Sequence, residues 1–461
     1  MAKPTSKSST KRRKAPRVQQ PEAPSPRGSK PAGSKSLAPP GRSGQESAPR
    51  GVRINRRAAD RLRDGHVWIY ASDVEGVQIE EGEPPTLIPV ADNRGLLLGT
   101  ALYSPISQIA LRLVSREAID ETAWLKLIKD RLHLAINRRV PLLVGEDRKS
   151  DSCRLCFSEA DEIPGLIVDK YGELLIVQLL AKGLDSPAVR ETVVEVLRND
   201  KHLRPAAIWE RADPRIRELE GLGAPQRGPL FAVHPDQPVT ATQLRLNGLK
   251  FHYDVNAGQK TGAFLDQHAN YKAAEDYARL LAPGGRALDV CTYQGGFALH
   301  LARVCKTVTG IDASHTSLEV AERNLAANRD VIGDKDVDWV EGDAFEVLRD
   351  WSEAGEKFDV IVLDPPAFAK SKRAVEGALR GYKELNLRAF KMLRPGGLLI
   401  TCSCSHHVSW SDLEGAVASA AADAHRRVRL HERSGAAPDH PVILNLPETE
   451  YLKCLVLEVQ N

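Results

Sequence analysis

Cysteine is scarce in this chain, which has seven among 461 residues. A small, odd number of thiols argues against a disulfide framework and favours a reducing compartment. Long apolar runs are also missing, since none reaches the ~18 residues that a membrane-spanning helix requires. The first segment, MAKPTSKSSTKRRKAPRV, lacks the apolar core of a secretory signal. We therefore expect a cytoplasmic protein with no membrane partner.

The nearest approach to a metal motif is a single C-x-x-C formed by Cys153 and Cys156. A structural zinc site needs four ligands, and no second pair follows at a recognisable spacing. We therefore predict no metal site and interpret both cysteines as half-buried strand residues.

The first 50 residues lack aromatic side chains and nearly lack acidic ones. They contain 12 Lys or Arg against two Glu, so their charge of +10 within a total of +3 leaves −7 for the rest of the chain. With nine Pro and nine Ser, this segment cannot bury enough apolar surface to offset its ordering entropy. We predict a disordered basic arm over residues 1–51. It either contacts nucleic-acid phosphates or serves only to keep the protein in solution.

The remaining patterns predict three domains. Short β-prone runs separated by turn residues indicate a small β-rich domain over 52–118. A helical pattern over 120–138, a hairpin at Tyr171-Gly172 and a helix over 187–199 indicate an α+β domain over 119–238. Strands then alternate with helices from 239 to 461, which predicts an α/β fold with a Rossmann-like, doubly wound parallel sheet.

Ligands of doubly wound sheets bind beyond the carboxyl ends of the strands, and acidic residues follow four of the predicted strands. The first strand contains Asp289 and leads to Tyr293 and a glycine pair, Gly295-Gly296, which would let a cofactor approach the backbone. The other three strand ends are Asp312-Ala313, Asp343-Ala344 and Asp364-Pro365-Pro366. Asp312 is placed to accept hydrogen bonds from ribose hydroxyls. The G-x-G-x-x-G fingerprint is absent, which counts against a nicotinamide dinucleotide. Together these features favour a nucleoside cofactor of neutral or positive charge, such as S-adenosylmethionine.

The fifth strand ends in Thr401-Cys402-Ser403-Cys404-Ser405. Side chains alternate along a strand, so Cys402 and Cys404 point the same way and only Cys404 is expected at the mouth of the site. From this strand alone, a catalytic nucleophile and a pair of inert buried thiols both remain open.

In this order, the motifs identify a resemblance to the bacterial 23S ribosomal RNA cytosine-5 methyltransferases that carry an N-terminal PUA domain. The matching segments run through nearly all of residues 52–461; they are 65–70, 102–109, 164–169, 220–222, 258–262, 264–267, 364–366 and 403–405. The sequence departs from the family pattern at His406, where relatives usually have glycine, and the basic arm lies outside the match.

The resemblance implies an N-terminal PUA RNA-binding domain, a middle domain and a methyltransferase domain at 239–461. It implies that S-adenosylmethionine contacts Lys260, Thr261, Phe264, Asp266 and Gln267, beside the strand-end residues named above. It also implies that Cys404 is the nucleophile, that Asp364 stabilises the activated ring, and that large-subunit ribosomal RNA is the partner.

Three other functions are compared with this one. Methylation of an exocyclic amine through Asp-Pro-Pro would need no cysteine, although Ala367 separates Pro366 from Phe368. The intact set of Lys260, Asp289, Asp312 and Asp364 argues against a non-catalytic RNA-binding assembly factor. The missing glycine fingerprint argues against an NAD-dependent oxidoreductase. Arg211, Arg215 and Arg217 are candidate phosphate contacts, with a solvated charged surface as the alternative. The oligomeric state stays open, a homodimer being one alternative.

Overall fold

The computed structural model describes residues 51–79, 86–144, 149–223, 225, 227–256 and 263–460. The predicted arm, apart from Gly51, lies outside these ranges, as do Lys260 and Thr261. No described helix is long and apolar enough to cross a bilayer.

The first sheet has six strands in the order β2-β6-β5-β4-β1-β3. They are β1 (Gly51–Ile54), β2 (Trp68–Ile69), β3 (Val74–Gln78), β4 (Leu87–Ala91), β5 (Leu97–Tyr103) and β6 (Leu111–Ser115). Helix α1 (Arg56–Arg63) begins after Asn55, whose side chain accepts a hydrogen bond from the Ala58 amide at 2.8 Å. The helix buries Ala58, Ala59 and Leu62 against the sheet. The predicted β-rich region therefore folds around its own core.

A second, five-stranded sheet has the order β11-β10-β9-β8-β7. Its strands are β7 (Cys153–Phe157), β8 (Leu166–Tyr171), β9 (Leu174–Leu179), β10 (Ala207–Glu210) and β11 (Phe231–Ala232); the helices are α2 (Glu121–Val144), α3 (Pro187–Asn199) and α4 (Pro214–Glu220). Strands β8 and β9 form the predicted antiparallel hairpin, and α3 has the predicted bounds. Cys153 and Cys156 lie on β7 as expected but are fully rather than half buried. Burial raises the pKa of both thiols.

A two-stranded hairpin, β12 (Ala241–Leu246) and β13 (Leu249–Asp254), precedes the last sheet. The outer amides of β13 are satisfied by side chains, since Lys250 N donates to Asn328 Oδ1 at 2.8 Å and His252 N to Asn324 Oδ1 at 2.7 Å. Both asparagines lie at or beside a later helix. The hairpin is thereby fixed to the third sheet's helical layer.

The third sheet has seven strands in the order β16-β15-β14-β17-β18-β20-β19. They are β14 (Arg286–Val290), β15 (Thr307–Asp312), β16 (Asp336–Glu341), β17 (Phe358–Leu363), β18 (Leu393–Ser403), β19 (Val428–Ser434) and β20 (Lys453–Val459). Helices α5 (His268–Leu281), α6 (Gly296–Ala302), α7 (His315–Ala327), α8 (Arg329–Ile332), α9 (Ala344–Ala354), α10 (Val375–Met392) and α11 (Trp410–Asp423) accompany it.

This sheet confirms the predicted α/β, doubly wound class. Strands β14 to β18 are parallel, and β14 lies between β15 and β17, so the chain reverses its direction of travel across the sheet at β14. Hydrophobic clusters lie on both faces, as the apolar strand over 360–363 requires. The antiparallel edge formed by β20 and β19 was not predicted. This antiparallel edge contributes to the surroundings of Cys404, because β20 starts beside the end of β18.

Candidate cofactor and catalytic site

A cavity of about 370 Å³ opens at the carboxyl ends of β14, β15, β16, β17 and β18. It thus lies at the point where the strand order reverses. Eleven of the predicted site residues line it: Phe264, Asp266, Gln267, Tyr293, Gly296, Asp312, Ala313, Asp343, Ala344, Asp364 and Cys404. Sequence analysis missed several apolar and aromatic lining residues, among them Tyr271, Cys291, Phe345, Phe368, Leu385 and Leu452. They come from helices and loops whose approach to the cavity has no local sequence signal.

The turn after β14 forms one wall of the cavity and has unusual backbone geometry. Cys291, Tyr293 and Gly295 all have positive φ, at 64°, 53° and 84°. Asp312 stabilises this turn, because its Oδ2 accepts from the Tyr293 amide and its Oδ1 from the Ser314 amide, both at 2.9 Å. The carboxylate that faces the cavity is therefore held in place by two backbone donors.

Asp289 and Gly295 lie behind the lining rather than in it. Asp289 is fully buried; its Oδ2 accepts from Thr292 Oγ1 at 2.6 Å and from the Ala298 amide at 2.8 Å. Burial raises the pKa of Asp289 to about 7. These bonds suit Asp289 to a role in fixing the turn between β14 and α6.

Two further carboxylates of the lining, Asp364 and Asp266, are held by side chains from distant parts of the chain. Gln267 Nε2 donates to Asp364 Oδ2 at 2.9 Å, and Asn270 Nδ2 donates to Gln267 Oε1 at 2.6 Å. Asp266 accepts a hydrogen bond from the Tyr451 hydroxyl, and its other oxygen, Oδ1, is buried without a hydrogen-bond partner among the described residues. An unsatisfied carboxylate oxygen beside a cavity is suited to a cationic ligand group.

Asp343 both lines the cavity and caps the amino end of α9. Its Oδ1 accepts from the amides of Phe345 at 2.9 Å and Glu346 at 3.1 Å. The capping bonds orient the strand-end carboxylate. Ala344, the first residue of the helix, adds a small apolar surface to the wall.

Cys404 is the half-exposed thiol at the end of β18. Its Sγ lies 3.8 Å from the Pro365 carbonyl oxygen, which brings it next to the Asp364-Pro365-Pro366 segment. Cys402 is fully buried and pairs across the sheet with Cys454. Both thiols are free, and a hydrogen bond with Cys454, together with burial, raises the pKa of the Cys402 thiol. Cys291 shares the cavity, but burial and the surrounding carboxylates raise its pKa as well.

A buried hydroxyl cluster, which no sequence pattern indicated, brackets Cys404. Ser403 Oγ donates to the Tyr382 hydroxyl at 2.9 Å, and Tyr382 is also 2.9 Å from Ser405 Oγ. Ser405 Oγ accepts from the Ala369 amide at 3.2 Å. The strand end carrying Cys404 is thus bonded to the loop that follows Asp364.

The structure also locates two of the three arginines predicted to contact phosphate. Arg217 cannot contact phosphate as predicted, because it is buried, donates to the Gly223 carbonyl oxygen and pairs with Glu210 and Asp185. Arg215, by contrast, is exposed. Across the described ranges, no three His, Cys, Asp or Glu side chains cluster as a metal site.

Comparison with known proteins matches two family models to this chain. One, described as a PUA-like domain, covers residues 52–116. The other, described as an S-adenosylmethionine-dependent methyltransferase, covers residues 173–447, more than half of the chain. The chain belongs to the S-adenosylmethionine-dependent methyltransferase family.

Curated relatives of this methyltransferase match over nearly their full lengths. A protein of Aeromonas salmonicida is 37% identical over 399 residues, which span 86% of this chain and 96% of the relative. A protein of Klebsiella pneumoniae is 36% identical over 410 residues, spanning 88% and 97%. Both are named "Ribosomal RNA large subunit methyltransferase I".

Solved structures support the methyltransferase fold. A protein from Streptococcus mutans, titled as an S-adenosylmethionine-dependent methyltransferase, superimposes with a TM-score of 0.72 at 16% identity. The match covers 88% of this chain and 99% of that structure. A second match, titled as a methyltransferase complexed with SAH, has a TM-score of 0.73 at 16% identity and the same coverage.

The lining residues fit the cofactor of this methyltransferase family. S-adenosylmethionine carries a positive sulfonium and an ammonium group, and four carboxylates, those of Asp266, Asp312, Asp343 and Asp364, line the cavity. The unsatisfied Asp266 oxygen adds an acceptor for a cation. Aromatic rings of Phe264, Tyr293, Phe345 and Phe368 add apolar surface to the cavity, which matches the apolar character of an adenine ring.

Proposed function

We propose that this methyltransferase forms 5-methylcytosine in large-subunit ribosomal RNA, with Cys404 as the nucleophile. The observation that carries the proposal is the position of the Cys404 thiol. It is half-exposed in the cofactor cavity, shares that cavity with Asp364, and has its Sγ 3.8 Å from the Pro365 carbonyl oxygen. The names of the curated relatives support ribosomal RNA as the substrate.

The chemistry requires a nucleophile because carbon 5 of cytosine is too weak to take a methyl group from a sulfonium unaided. Attack of the Cys404 thiolate on carbon 6 would make carbon 5 enamine-like, dividing one difficult step into two easier ones. Asp364 would stabilise the activated ring at nitrogen 3 and the exocyclic amine. Once carbon 5 has taken up the methyl group, a base removes the carbon 5 proton, the bond between sulfur and carbon 6 breaks, and the thiolate leaves as the ring regains its aromatic character. S-adenosylmethionine, when bound, supplies the methyl group.

For binding the cofactor, we propose the ten cavity residues Phe264, Asp266, Gln267, Tyr293, Gly296, Asp312, Ala313, Asp343, Ala344 and Asp364, with Lys260 and Thr261 as further contacts and Asp289 and Gly295 shaping the turn. Asp312 would accept the ribose hydroxyls while keeping its bonds to the turn.

The RNA must present its target base in a single-stranded loop or flipped out of a helix, since a stacked base cannot enter a cavity. Three exposed cations, Lys370, Lys372 and Arg373, follow directly after the cavity-lining Phe368 and the buried Ala369. We propose that they contact the phosphates flanking the target nucleotide. The PUA-like domain would bind a more distant part of the RNA.

The test uses Cys404→Ser and RNA carrying 5-fluorocytosine at the methylated position, which is first located by mass mapping of ribosomal RNA from cells with and without the protein. Wild type should form a covalent complex with the fluorinated RNA, because fluorine cannot leave as a proton. Cys404→Ser should neither turn over nor be trapped, yet should bind S-adenosylmethionine normally.

Cys291→Ser is the matched control, since Cys291 lines the same cavity but has a raised thiol pKa; it should still be trapped. Full activity of Cys404→Ser would exclude the cysteine mechanism and favour methylation of an exocyclic amine through Asp364-Pro365-Pro366. An inactive wild type that binds RNA would instead indicate an assembly factor.

A further inference from the structure

Lys453, the first residue of β20, has a buried ammonium group. It lies opposite Ser403 in the β18–β20 register and is 3% exposed. Its Nζ donates to the Ser405 carbonyl oxygen at 3.2 Å and to the Tyr451 carbonyl oxygen at 2.9 Å. No carboxylate among the described residues forms an ion pair with it.

A buried ammonium bonded only to neutral carbonyl groups is costly, because desolvation is not offset by an opposite charge. Burial accordingly lowers the pKa of Lys453, while Glu450 and Cys404 act in the opposite direction. Glu450 itself is exposed and accepts from Trp410 Nε1 at 2.9 Å. Of the two negative groups that act on Lys453, Glu450 is screened by solvent, so a Cys404 thiolate is the one within the protein.

The charges that line the cavity disfavour a Cys404 thiolate unless a cation lies nearby. Carboxylates of Asp266, Asp312, Asp343 and Asp364 line the cavity, and none of its described lining residues is Lys or Arg. These negative charges oppose ionisation of the thiol. Among the titratable groups near the thiol, the buried Tyr382 hydroxyl is bonded to Ser403 and Ser405. The pKa of His406 is lowered by partial desolvation and by the neighbouring His407, which disfavours a charged imidazole.

We propose that Lys453 is the positioning residue that stabilises the Cys404 thiolate. The Cys404 S–H bond breaks, the proton passes to solvent, and Lys453 stays protonated, so that its charge balances the new anion. Its hydrogen bond to the Ser405 carbonyl oxygen also fixes the turn that carries the thiol. The thiolate's use in catalysis rests on the proposed function.

The experiment measures alkylation of Cys404 by iodoacetamide against pH in the full chain, without RNA, by mass spectrometry of the Cys404 peptide. Cys404→Ser gives the background. The wild-type midpoint should lie below the ordinary thiol value of about 8.5. Lys453→Gln keeps an N–H donor but removes the charge, and its midpoint should rise by about one pH unit or more. Lys453→Met should behave in the same way, whereas Lys453→Arg, which keeps the charge, should stay near wild type.

Lys170→Gln is the matched control, because Lys170 is another buried lysine with a burial-lowered pKa, located on β8 in a different sheet. Its Cys404 midpoint should equal that of wild type. A wild-type midpoint at or above 8.5, or the same midpoint in Lys453→Gln and wild type, would overturn the proposal. Equal shifts of the Cys404 alkylation midpoint in Lys453→Gln and Lys170→Gln would also overturn the proposal.

Two further results distinguish failure of this proposal from misfolding of a variant and from failure of the proposed function. If the neutral Lys453 variants do not fold, the wild-type and Lys453→Arg midpoints decide, since both must lie below the ordinary thiol value. An active Cys404→Ser enzyme would refute the proposed role of Cys404 as the nucleophile. The alkylation assay uses no RNA, so its midpoints would still decide whether Lys453 stabilises the Cys404 thiolate.

Discussion

At the scale of single residues, the absence of a side chain at Gly296 shapes the cofactor cavity. A Cβ at this position would lie 2.4 Å from Cζ of Tyr271, a ring that packs edge-on against Phe297. The ring is buried and lines the cavity, so it has little room to move aside. The second glycine of the predicted pair therefore admits the Tyr271 ring close to the start of α6.

Gly296→Ala should destabilise the fold by about 1–3 kcal/mol, the usual cost of overpacking, and should weaken S-adenosylmethionine binding as Tyr271 shifts. Thermal unfolding and calorimetry measure the two effects. Gly415→Ala, within α11, is the control. Its Cβ would meet no atom within 4 Å, so the substitution should stabilise the helix by about 0.5–1 kcal/mol and leave cofactor binding unchanged. Equal effects of both substitutions would contradict the steric argument.

Asp289 predicts a pH dependence of stability. Burial raises its pKa from 3.8 to about 7, so the folded state disfavours the carboxylate relative to the unfolded chain. This group's contribution is fully present below the unfolded value and is lost as pH rises through the folded value. Without cofactor, wild type should therefore lose stability relative to Asp289→Asn between about pH 4 and pH 8, by an amount on the order of 4 kcal/mol. Denaturant melts across that range test this, and a constant difference would refute it.

At the scale of elements, the loop after β17 joins the proposed catalytic and RNA-binding functions. Its first part lines the cavity through Asp364, Pro365, Pro366 and Phe368, and Phe368 packs against Tyr382 at a centroid distance of 4.9 Å. The Ala369 amide then bonds to Ser405 Oγ. A loop fixed at this point presents its following cations at a defined distance from the cavity.

Replacing Lys370, Lys372 and Arg373 together by Gln should weaken RNA binding and reduce the slope of log affinity against log salt by about 2, since each phosphate contact to a single strand contributes about 0.7. Binding of S-adenosylmethionine should be unaffected.

The control triple is Lys357→Gln, Lys391→Gln and Arg394→Gln, three exposed cations beside the amino ends of β17 and β18, opposite the cavity edge. This variant should keep the wild-type salt slope. The same slope in the loop variant and wild type would show that the loop does not contact phosphate.

At the scale of the whole molecule, a buried ion pair joins the first sheet to the second domain. Arg112 on β6 donates to Glu220 at the end of α4 at 2.8 Å, and Ser107 Oγ also donates to this carboxylate, at 2.6 Å. Both charged side chains are less than one-tenth exposed. Burial alone would raise the pKa of Glu220, but Arg112, Ser104 and Ser107 hold it below its ordinary value.

Glu220→Ala should lower the free energy of unfolding by about 3–5 kcal/mol, because it leaves the Arg112 charge buried and unpaired. Arg112→Met combined with Glu220→Leu should cost much less. The pair's stabilisation is present above the unfolded value of 4.5 and is lost as pH falls through the lower folded value. Denaturant melts between pH 3 and pH 7 check both statements. Glu376→Ala, which breaks an exposed pair with Arg380, should cost less than about 1 kcal/mol; an equal loss in both single variants would contradict the role of burial.

The sequence by itself determined the class of the last domain and most of the cavity wall. Alternating strand and helix patterns give a parallel sheet, and the carboxyl ends of parallel strands share one edge. Asp312, Asp343, Asp364 and Cys404 could therefore be placed together from local pattern alone, and the structure puts all four in one cavity.

Only the tertiary structure decided which distant side chains act on that edge. Lys453 bonds to the carbonyl of a residue 48 positions away, and Gln267 reaches Asp364 across 97 positions. Arg217 has the same local sequence character as an exposed cation, but the surrounding carboxylates bury it in ion pairs. Secondary-structure periodicity fixes the direction of a side chain relative to its own element, whereas its partners depend on how elements pack, and packing is a property of the whole chain.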